Sequence, residues 1–143
     1  MTTATIHRPR VYCASKLRHG FMWRNWRTGL AAIDIISTWH DDPDVIVKEA
    51  DVDLCRTGWT ANRMQILHQA DHLLAYGNGY DTLNGTLVEI GMAYALNIPI
   101  HLVGNFPWGT WRHSESVFVH DSLDAAVLAI VNYNPPESIA PPQ

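Results

Sequence analysis

The stretch NGTLVEIGMAYALNIPIHLVG (84–104) contains a single carboxylate, Glu89, among mostly small and apolar residues. Its pattern predicts a helix over 86–96 followed by a buried strand over 99–104. Thr86 and Glu89 fit the capping box T-x-x-E, in which the glutamate bonds back to the amide at the start of the helix. Alternatively, Glu89 faces a cleft, where the helix N-terminus favours the ionised carboxylate that a nucleophile requires. The residues alone leave both interpretations open.

Tyr12, Asp71 and Asp81 are further side chains that could take part in chemistry. Tyr12 lies in the first predicted strand, where a core tyrosine with a satisfied hydroxyl is the usual explanation. Asp71 opens the third predicted strand, as either a solvated junction residue or a functional carboxylate. Asp81 lies in the loop GNGYDTLNG (77–85), where an aspartate is typical of a turn.

The segment SKLRHG (15–20) follows the first strand and brings together a hydroxyl, two cations and a glycine. Such a segment could cradle an anion, although it is neither a Walker sequence nor a GxGxxG motif. A metal site is not expected. His68 and His72 are four residues apart, but the helix is expected to end between them. No G-x-S-x-G motif supports serine hydrolase chemistry.

Strands and helices alternate along the chain. The strands are predicted over 10–15, 33–39, 71–77, 99–104 and 116–120, and the helices over 16–32, 60–70, 86–96 and 122–133. Leu17, Phe21, Met22 and Leu30 are expected to line the buried face of the first helix, and 41–58 is expected to be a loop with short helical pieces. This alternation predicts an α/β fold, a small doubly wound, flavodoxin-like five-stranded parallel sheet with helices on both faces. Ligands of such sheets bind at the carboxyl ends of the strands.

Composition limits the classes of protein that the chain can represent. With 143 residues it is expected to form one domain (10–133), between a flexible N-terminus (1–9) and a Pro-rich tail (134–143). A net charge of −4 gives no support for binding a nucleic acid polymer. No apolar run reaches the roughly 20 residues of a membrane span, and the first ten residues lack a secretory h-region. Cys13 and Cys55 show no disulfide pattern, so we expect a cytoplasmic protein.

Three segments together resemble a known family. RVYCAS (10–15), ADHLLAY (70–76) and NGTLVEIGMAYALNIPIHLVG (84–104) resemble the nucleoside 2-deoxyribosyltransferase superfamily. That superfamily includes deoxyribosyltransferases and 2'-deoxynucleoside 5'-monophosphate N-hydrolases. The resemblance covers about residues 10–131, and its most specific part is G-T-x-x-E-x-G-x-A. It implies an N-glycosidase or transferase of nucleosides or nucleotides that needs no metal or organic cofactor and that forms a homo-oligomer with sites completed across the interface.

The resemblance also assigns roles to individual residues. Glu89 matches the glutamate that attacks the anomeric carbon, and Tyr12 matches the position that orients it. Asp71 is aligned with an aspartate that handles the base. The residues expected to bind substrate are Ser15, Arg18, Gly20, Gly77, Asp81, Asn84, Gly85 and Ser116. Leu83 departs from the family, which often has an acidic residue or serine six positions before its glutamate.

Several functions follow from these matches. Three residues match positions of the monophosphate hydrolases and favour a 5'-monophosphate substrate: Ser15, Arg18 and Ser116. The segment SKLRHG is, however, one residue longer than the hydrolase loop. Leu83 counts against a 5'-monophosphate substrate. The alternatives are a transferase that exchanges bases on unphosphorylated deoxynucleosides and a nucleotide-binding module without turnover. A glutamate-dependent NAD glycohydrolase of the TIR type shares the sheet but has little support from the motifs.

Overall fold

A computed structural model of the chain describes residues 8–29, 32–41, 50–107 and 109–135. The strands are β1 (Arg10–Ala14), β2 (Asp34–Ile35), β3 (His72–Gly77), β4 (Ile100–Gly104) and β5 (Val117–His120). The α-helices are α1 (Gly20–Gly29), α2 (Val52–His68), α3 (Asn84–Ala95) and α4 (Leu123–Val131), and 3-10 turns cover Leu17–His19 and Thr110–His113. Most of the predicted flexible N-terminus and Pro-rich tail lies outside the described residues, as does Leu30.

The five strands form one parallel sheet in the order β2-β1-β3-β4-β5. The chain reverses its direction of travel across the sheet after β2, so the central strands β1 and β3 flank the switch point. This arrangement confirms the predicted flavodoxin-like α/β fold. The carboxyl ends of β1 and β3 are therefore the expected place for a ligand.

Both faces of the sheet are covered by helices. Alternation along β1 directs Tyr12 and Ala14 into the core that includes Ile66 of α2 and Ile90 of α3. Val11 and Cys13 point to the opposite core, which includes Trp23 of α1 and Ala126 of α4. In the part of the chain that the structure describes, no helix is long and apolar enough to cross a membrane.

Two helices differ from their predicted extent. The predicted loop with short helical pieces over 41–58 is wrong from residue 52 onwards, because α2 begins at Val52 rather than near Thr60. Residues 42–49 of that range lie outside the described residues. Nearly every residue over 52–60 is exposed, so this end of the helix carries no apolar period that could reveal it. The first predicted helix is a 3-10 turn followed by α1, and this change of pitch leaves Leu17 and Phe21 exposed rather than buried. Strand two is shorter than predicted, with only Asp34–Ile35 paired.

The strands β3 and β4 end side by side at two glycines. Gly104 has a φ of 94°, and a Cβ placed on it would lie 1.9 Å from the carbonyl oxygen of Gly77. A Cβ on Gly77 would lie 2.4 Å from the carbonyl oxygen of Asn105. Neither position has room for a side chain, so the two glycines let the backbones of both loops meet at the carboxyl edge.

Candidate functional site

A buried hydrogen bond joins the first strand to the third helix. The Tyr12 hydroxyl donates to Oε2 of Glu89, and both residues are buried, with Glu89 5% exposed and Tyr12 fully enclosed. Tyr12 reaches this position because it is the third residue of β1 and points to the face that α3 covers. Glu89 reaches it from the second turn of α3. The structure therefore brings together two of the three predicted catalytic residues.

The capping-box interpretation of Glu89 is wrong. Helix α3 begins at Asn84, two residues earlier than predicted, and its N-cap is Leu83, which makes no side-chain cap bond. Thr86 is a buried residue inside the helix rather than its cap. The Glu89 side chain is one turn too far along the helix to serve the N-cap amide, and its carboxylate contacts Tyr12 instead.

The environment of Glu89 changes its acidity. Burial raises the pKa of the carboxyl from 4.5 to about 7, while the hydrogen bond from Tyr12 acts in the opposite direction. Burial and the neighbouring carboxylate raise the pKa of Tyr12 far above its ordinary value. Tyr12 therefore stays a hydrogen-bond donor, whereas Glu89 changes between its neutral and ionised forms close to neutral pH.

Two loops meet at the carboxyl edge of the sheet, beside the switch point. Asp81, in the loop after β3, is contacted by Arg18 at 2.5 Å and by Nε2 of His19 at 2.9 Å. Lys16 donates to the Thr82 hydroxyl in a second link between the same loops. The predicted binding residues Arg18 and Asp81 are thus paired with each other.

Ser15 also has partners within the chain. Its hydroxyl accepts a hydrogen bond from Trp23 Nε1 at 2.7 Å and donates to the carbonyl oxygen of Lys16 at 3.1 Å. These contacts hold the turn that leads from β1 into α1. They place Ser15 at the same edge of the sheet as Arg18, as the sequence predicts.

Of the other predicted binding residues near this edge, the three glycines pack against other parts of the chain and Asn84 is exposed. Gly20 is buried at the start of α1, where a Cβ would lie 3.4 Å from the His40 side chain. Asn84 is exposed at the first position of α3, and Gly85 follows it, with the Trp59 ring 3.4 Å from where its Cβ would be. Gly77 is required by the close approach of β3 and β4.

Asp71 and Ser116 lie at the opposite edge of the sheet. Asp71 precedes β3 and accepts hydrogen bonds from the backbone N–H of Arg10 at 2.9 Å and from the Arg10 guanidinium. Ser116 precedes β5, and both residues line a cavity of about 760 Å³ at the amino ends of the strands. A residue that opens a parallel strand lies at the amino edge, so the structure does not bring Asp71 or Ser116 to Glu89 within one chain.

Sequence reasoning missed a row of three histidines across β3, β4 and β5. Nδ1 of His72 lies 3.0 Å from Nε2 of His101, and Nδ1 of His101 lies 2.9 Å from Nε2 of His120. All three point to the α1 and α4 face, opposite Tyr12 and Glu89. Only the register between strands reveals the row, because the residues are far apart in sequence.

Sequence reasoning also missed His19, which joins the contacts between the loops after β1 and β3, and it counted Lys16 only as one of the two cations of SKLRHG. The signal was present in SKLRHG, whose four polar side chains follow a strand end directly. Within the described ranges, no group of three or more histidine, cysteine or acidic residues is arranged to hold a metal ion. His68 ends α2 and His72 opens β3, so the two do not share a helix face.

Comparison with known proteins supports the fold. No protein-family model and no curated protein matches the chain. Its structure is similar to that of a 2-deoxyribosyltransferase from the psychrotolerant bacterium Bacillus psychrosaccharolyticus, described as a biocatalyst for synthesis of nucleosides, with a TM-score of 0.52 and 16% identity over 87% of this chain and 92% of that chain. A conserved protein from Enterococcus faecalis V583 also matches, with a TM-score of 0.42 and 16% identity over 87% of each chain. The first of these two matches shows that the chain shares its fold with a 2-deoxyribosyltransferase.

Proposed function

We propose that this chain cleaves the N-glycosidic bond of deoxynucleosides or their 5'-monophosphates, with Glu89 as the nucleophile. The observation that carries the proposal is the buried Tyr12–Glu89 hydrogen bond, which holds one oxygen of a helix carboxylate inside a fold shared with a 2-deoxyribosyltransferase. Buried acidic groups with shifted pKa values concentrate at functional sites. A glutamate needed only for folding would be better replaced by an apolar residue of similar volume, since burying a carboxyl is costly.

The chemistry follows retaining glycoside hydrolysis. In the first step, ionised Oε1 of Glu89 forms a bond to C1' of the sugar while the bond from C1' to the base nitrogen breaks. The electron pair leaves with the base, which takes a proton from solvent. In the second step, water attacks C1', the ester bond to Glu89 breaks, and the water loses a proton. Attack by a second base instead of water would give base exchange, the transferase reaction.

Tyr12 acts as a positioning residue in this scheme. Its hydroxyl donates to Oε2 and thereby leaves Oε1 as the attacking oxygen. The same bond stabilises the ionised carboxylate against the desolvation that raises its pKa to about 7. The active form of Glu89 should therefore be well populated only at neutral pH and above.

Asp71 has no role in this scheme within one chain, because its carboxylate bonds to Arg10 at the other edge of the sheet. Asp71 and Ser116 would approach a Glu89 site only across an interface between two copies of the chain, as the expected homo-oligomer would require. Since a nucleobase is a better leaving group than a sugar alkoxide, a single carboxylate suffices for the proposed step.

The proposal is tested by measuring base release by chromatography. Wild-type protein, Glu89→Gln and the control Glu115→Gln are incubated with deoxynucleosides and their 5'-monophosphates, with and without a second free base. Glu115 is an exposed glutamate at the amino edge, so its substitution should leave activity unchanged. We expect release by wild type and the control and none by Glu89→Gln. Mass spectrometry of the quenched reaction should show one deoxyribosyl group on wild type, or one 5'-phosphodeoxyribosyl group where the substrate is a monophosphate.

A second candidate is a nucleotide-binding module without turnover. The 5% exposure of Glu89 favours it, because a nucleophile must reach its substrate. Saturable nucleoside binding with no Glu89-dependent release of base from any substrate would support this candidate. It would overturn the proposal that the chain cleaves N-glycosidic bonds.

A further inference from the structure

Asp81 is an anion enclosed by donors. Its Oδ2 accepts the backbone N–H of Asn78 at 2.9 Å and lies 2.9 Å from Nε2 of His19, while Oδ1 lies 2.5 Å from an Arg18 nitrogen. The side chain is fully covered although it belongs to a loop. A guanidinium, an imidazole and a backbone amide converging on one point are the donor types with which proteins bind phosphate and carboxylate ligands.

We call Asn78, Arg18 and His19, the residues that surround the Asp81 carboxylate, the cradle. The pKa of Asp81 shows that the cradle holds a charged group. Burial by itself raises the pKa of Asp81, but the Asn78 amide, His19 and Arg18 together outweigh burial and bring the pKa below its usual range. Asp81 is thus ionised at neutral pH. Its charge opposes that of Arg18, and a second anion beside Arg18 and His19 would meet the repulsion of a like charge at contact distance.

The cradle lies on the two loops that frame the Tyr12–Glu89 pair. Arg18 and His19 belong to the turn after β1, which carries Tyr12, and Asp81 belongs to the loop that leads into α3, which carries Glu89. Lys16 and Thr82 join the same two loops. A substrate whose C1' approaches Glu89 from the carboxyl edge would meet this cluster with another part of its sugar.

We propose that Asp81 is a specificity-determining residue that fills an anion subsite, so that the site prefers deoxynucleosides with a free 5'-hydroxyl over their 5'-monophosphates. This inference rests on the proposed function for the location of the substrate. It assigns Arg18 to Asp81 rather than to a substrate phosphate. It also favours the unphosphorylated deoxynucleosides, which the family resemblance gives as the alternative substrates.

The alternative is that Asp81 only fastens the two loops together. The variant Asp81→Asn separates the two roles, because asparagine keeps the shape and can still accept the Asn78 N–H while it releases the Arg18 charge. If Asp81 fills an anion subsite, Asp81→Asn should gain affinity for anions through Arg18. If Asp81 only holds the two loops together, removing its charge should leave anion binding unchanged or weaker.

The test is calorimetric binding of inorganic phosphate, deoxynucleosides and deoxynucleoside 5'-monophosphates at low ionic strength. The proteins are wild type, Asp81→Asn, Asp81→Asn with Arg18→Gln, and the exposed control Asp124→Asn, each checked for folding by circular dichroism. We expect wild type to bind deoxynucleosides more tightly than their monophosphates. Asp81→Asn should bind phosphate and monophosphates about tenfold more tightly, as one charge-assisted hydrogen bond predicts, and Arg18→Gln should remove that gain.

Two results would overturn the inference. One is wild-type binding of monophosphates more tightly than of deoxynucleosides, a measurement that needs no variant to fold. The other is a folded Asp81→Asn protein with no gain in phosphate affinity, or with a gain that Asp124→Asn shares. Because binding is measured without turnover, failure of base release would count against Glu89 as nucleophile and leave the result for Asp81 standing.

Discussion

The Tyr12 hydroxyl and the Glu89 carboxylate, 77 residues apart in sequence, form a buried hydrogen bond between β1 and α3. The bond joins β1, one of the two strands that flank the switch point of the sheet, to α3, so its geometry depends on the packing of the core between them. It also affects the protonation of Glu89, since burial raises the pKa of the carboxyl and Tyr12 is the donor that opposes this rise. The same contact therefore contributes to the packing of the fold and to the acidity of the proposed nucleophile.

Replacing Tyr12 by phenylalanine should move the acid limb of the pH–rate profile to higher pH. Removing a hydrogen bond to a charged group costs about 1.5–3 kcal/mol, and about 1.4 kcal/mol corresponds to one pKa unit. The Glu89 pKa should rise further above 7, and base release at pH 7 should fall about tenfold or more. The measurement is kcat/KM from pH 5.5 to 9.5, with partial recovery at the alkaline end. A uniform loss at every pH would show that Tyr12 does not act through the acidity of Glu89.

Replacing Glu89 by glutamine should stabilise the protein at alkaline pH. The pKa of Glu89 is raised in the folded state, so its contribution to stability is fully present below pH 4.5 and is lost as pH rises to about 7. The loss amounts to about 3 kcal/mol above that range. Glutamine accepts the Tyr12 hydrogen bond but does not titrate. Urea unfolding at pH 4 and pH 8 should show a gain for Glu89→Gln that is larger at pH 8, and an equal effect at both would contradict the raised pKa.

The sequence supports prediction of the fold better than of the site. Runs such as IPIHLV (98–103) are apolar on both faces and identify strands covered by two layers, as β4 is. The exposed first half of α2 has no such period, so its start at Val52 was missed. Helix propensity alone is too weak to define a helix end that is not buried.

The positions of Asp71 and Glu89 show why site prediction is harder. Glu89 was linked to Tyr12 by family resemblance, because no periodicity brings residues 77 positions apart into contact. Asp71 was linked to the same site, although a residue that opens a parallel strand lies at the amino edge, away from the ligand edge. For Asp71, topology alone could have shown that the residue lies at the amino edge of the sheet. For the Arg18–Asp81 contact it could not, since loop conformation decides it.

The histidine row should make the fold sensitive to acid. Burial first, and then His72 and His120, lower the pKa of His101 from 6.5 to about 3, while Asp71 beside His72 and Asp121 beside His120 act in the opposite direction on the outer members. A depressed histidine pKa means that the unfolded chain binds the proton first. Stability should therefore fall by about 1.4 kcal/mol per pH unit through His101 as pH decreases from 6.5 towards 3. The lowered pKa values of His72 and His120 act in the same direction.

The variant His101→Gln tests this acid sensitivity, because glutamine retains hydrogen bonding without titrating. We expect lower stability at pH 7 but a shallower decrease between pH 6.5 and pH 4 than in wild type. His113→Gln, in the 3-10 turn over Thr110–His113, is the control and should keep the wild-type slope. Urea unfolding at several pH values gives the slopes, and a His101→Gln slope equal to that of wild type would refute the explanation.

Replacing Gly104 by alanine should destabilise the protein strongly. Its φ of 94° strains any residue with a Cβ, and that Cβ would lie 1.9 Å from the Gly77 carbonyl oxygen, a backbone atom that cannot rotate away. We expect a loss of about 2 kcal/mol or more in the free energy of unfolding. Gly91→Ala is the matched control. A Cβ there meets nothing within 4 Å inside α3, so alanine should add about 0.5–1 kcal/mol of stability. Urea unfolding measures both, and a neutral Gly104→Ala would mean that β3 and β4 do not end in the close contact described.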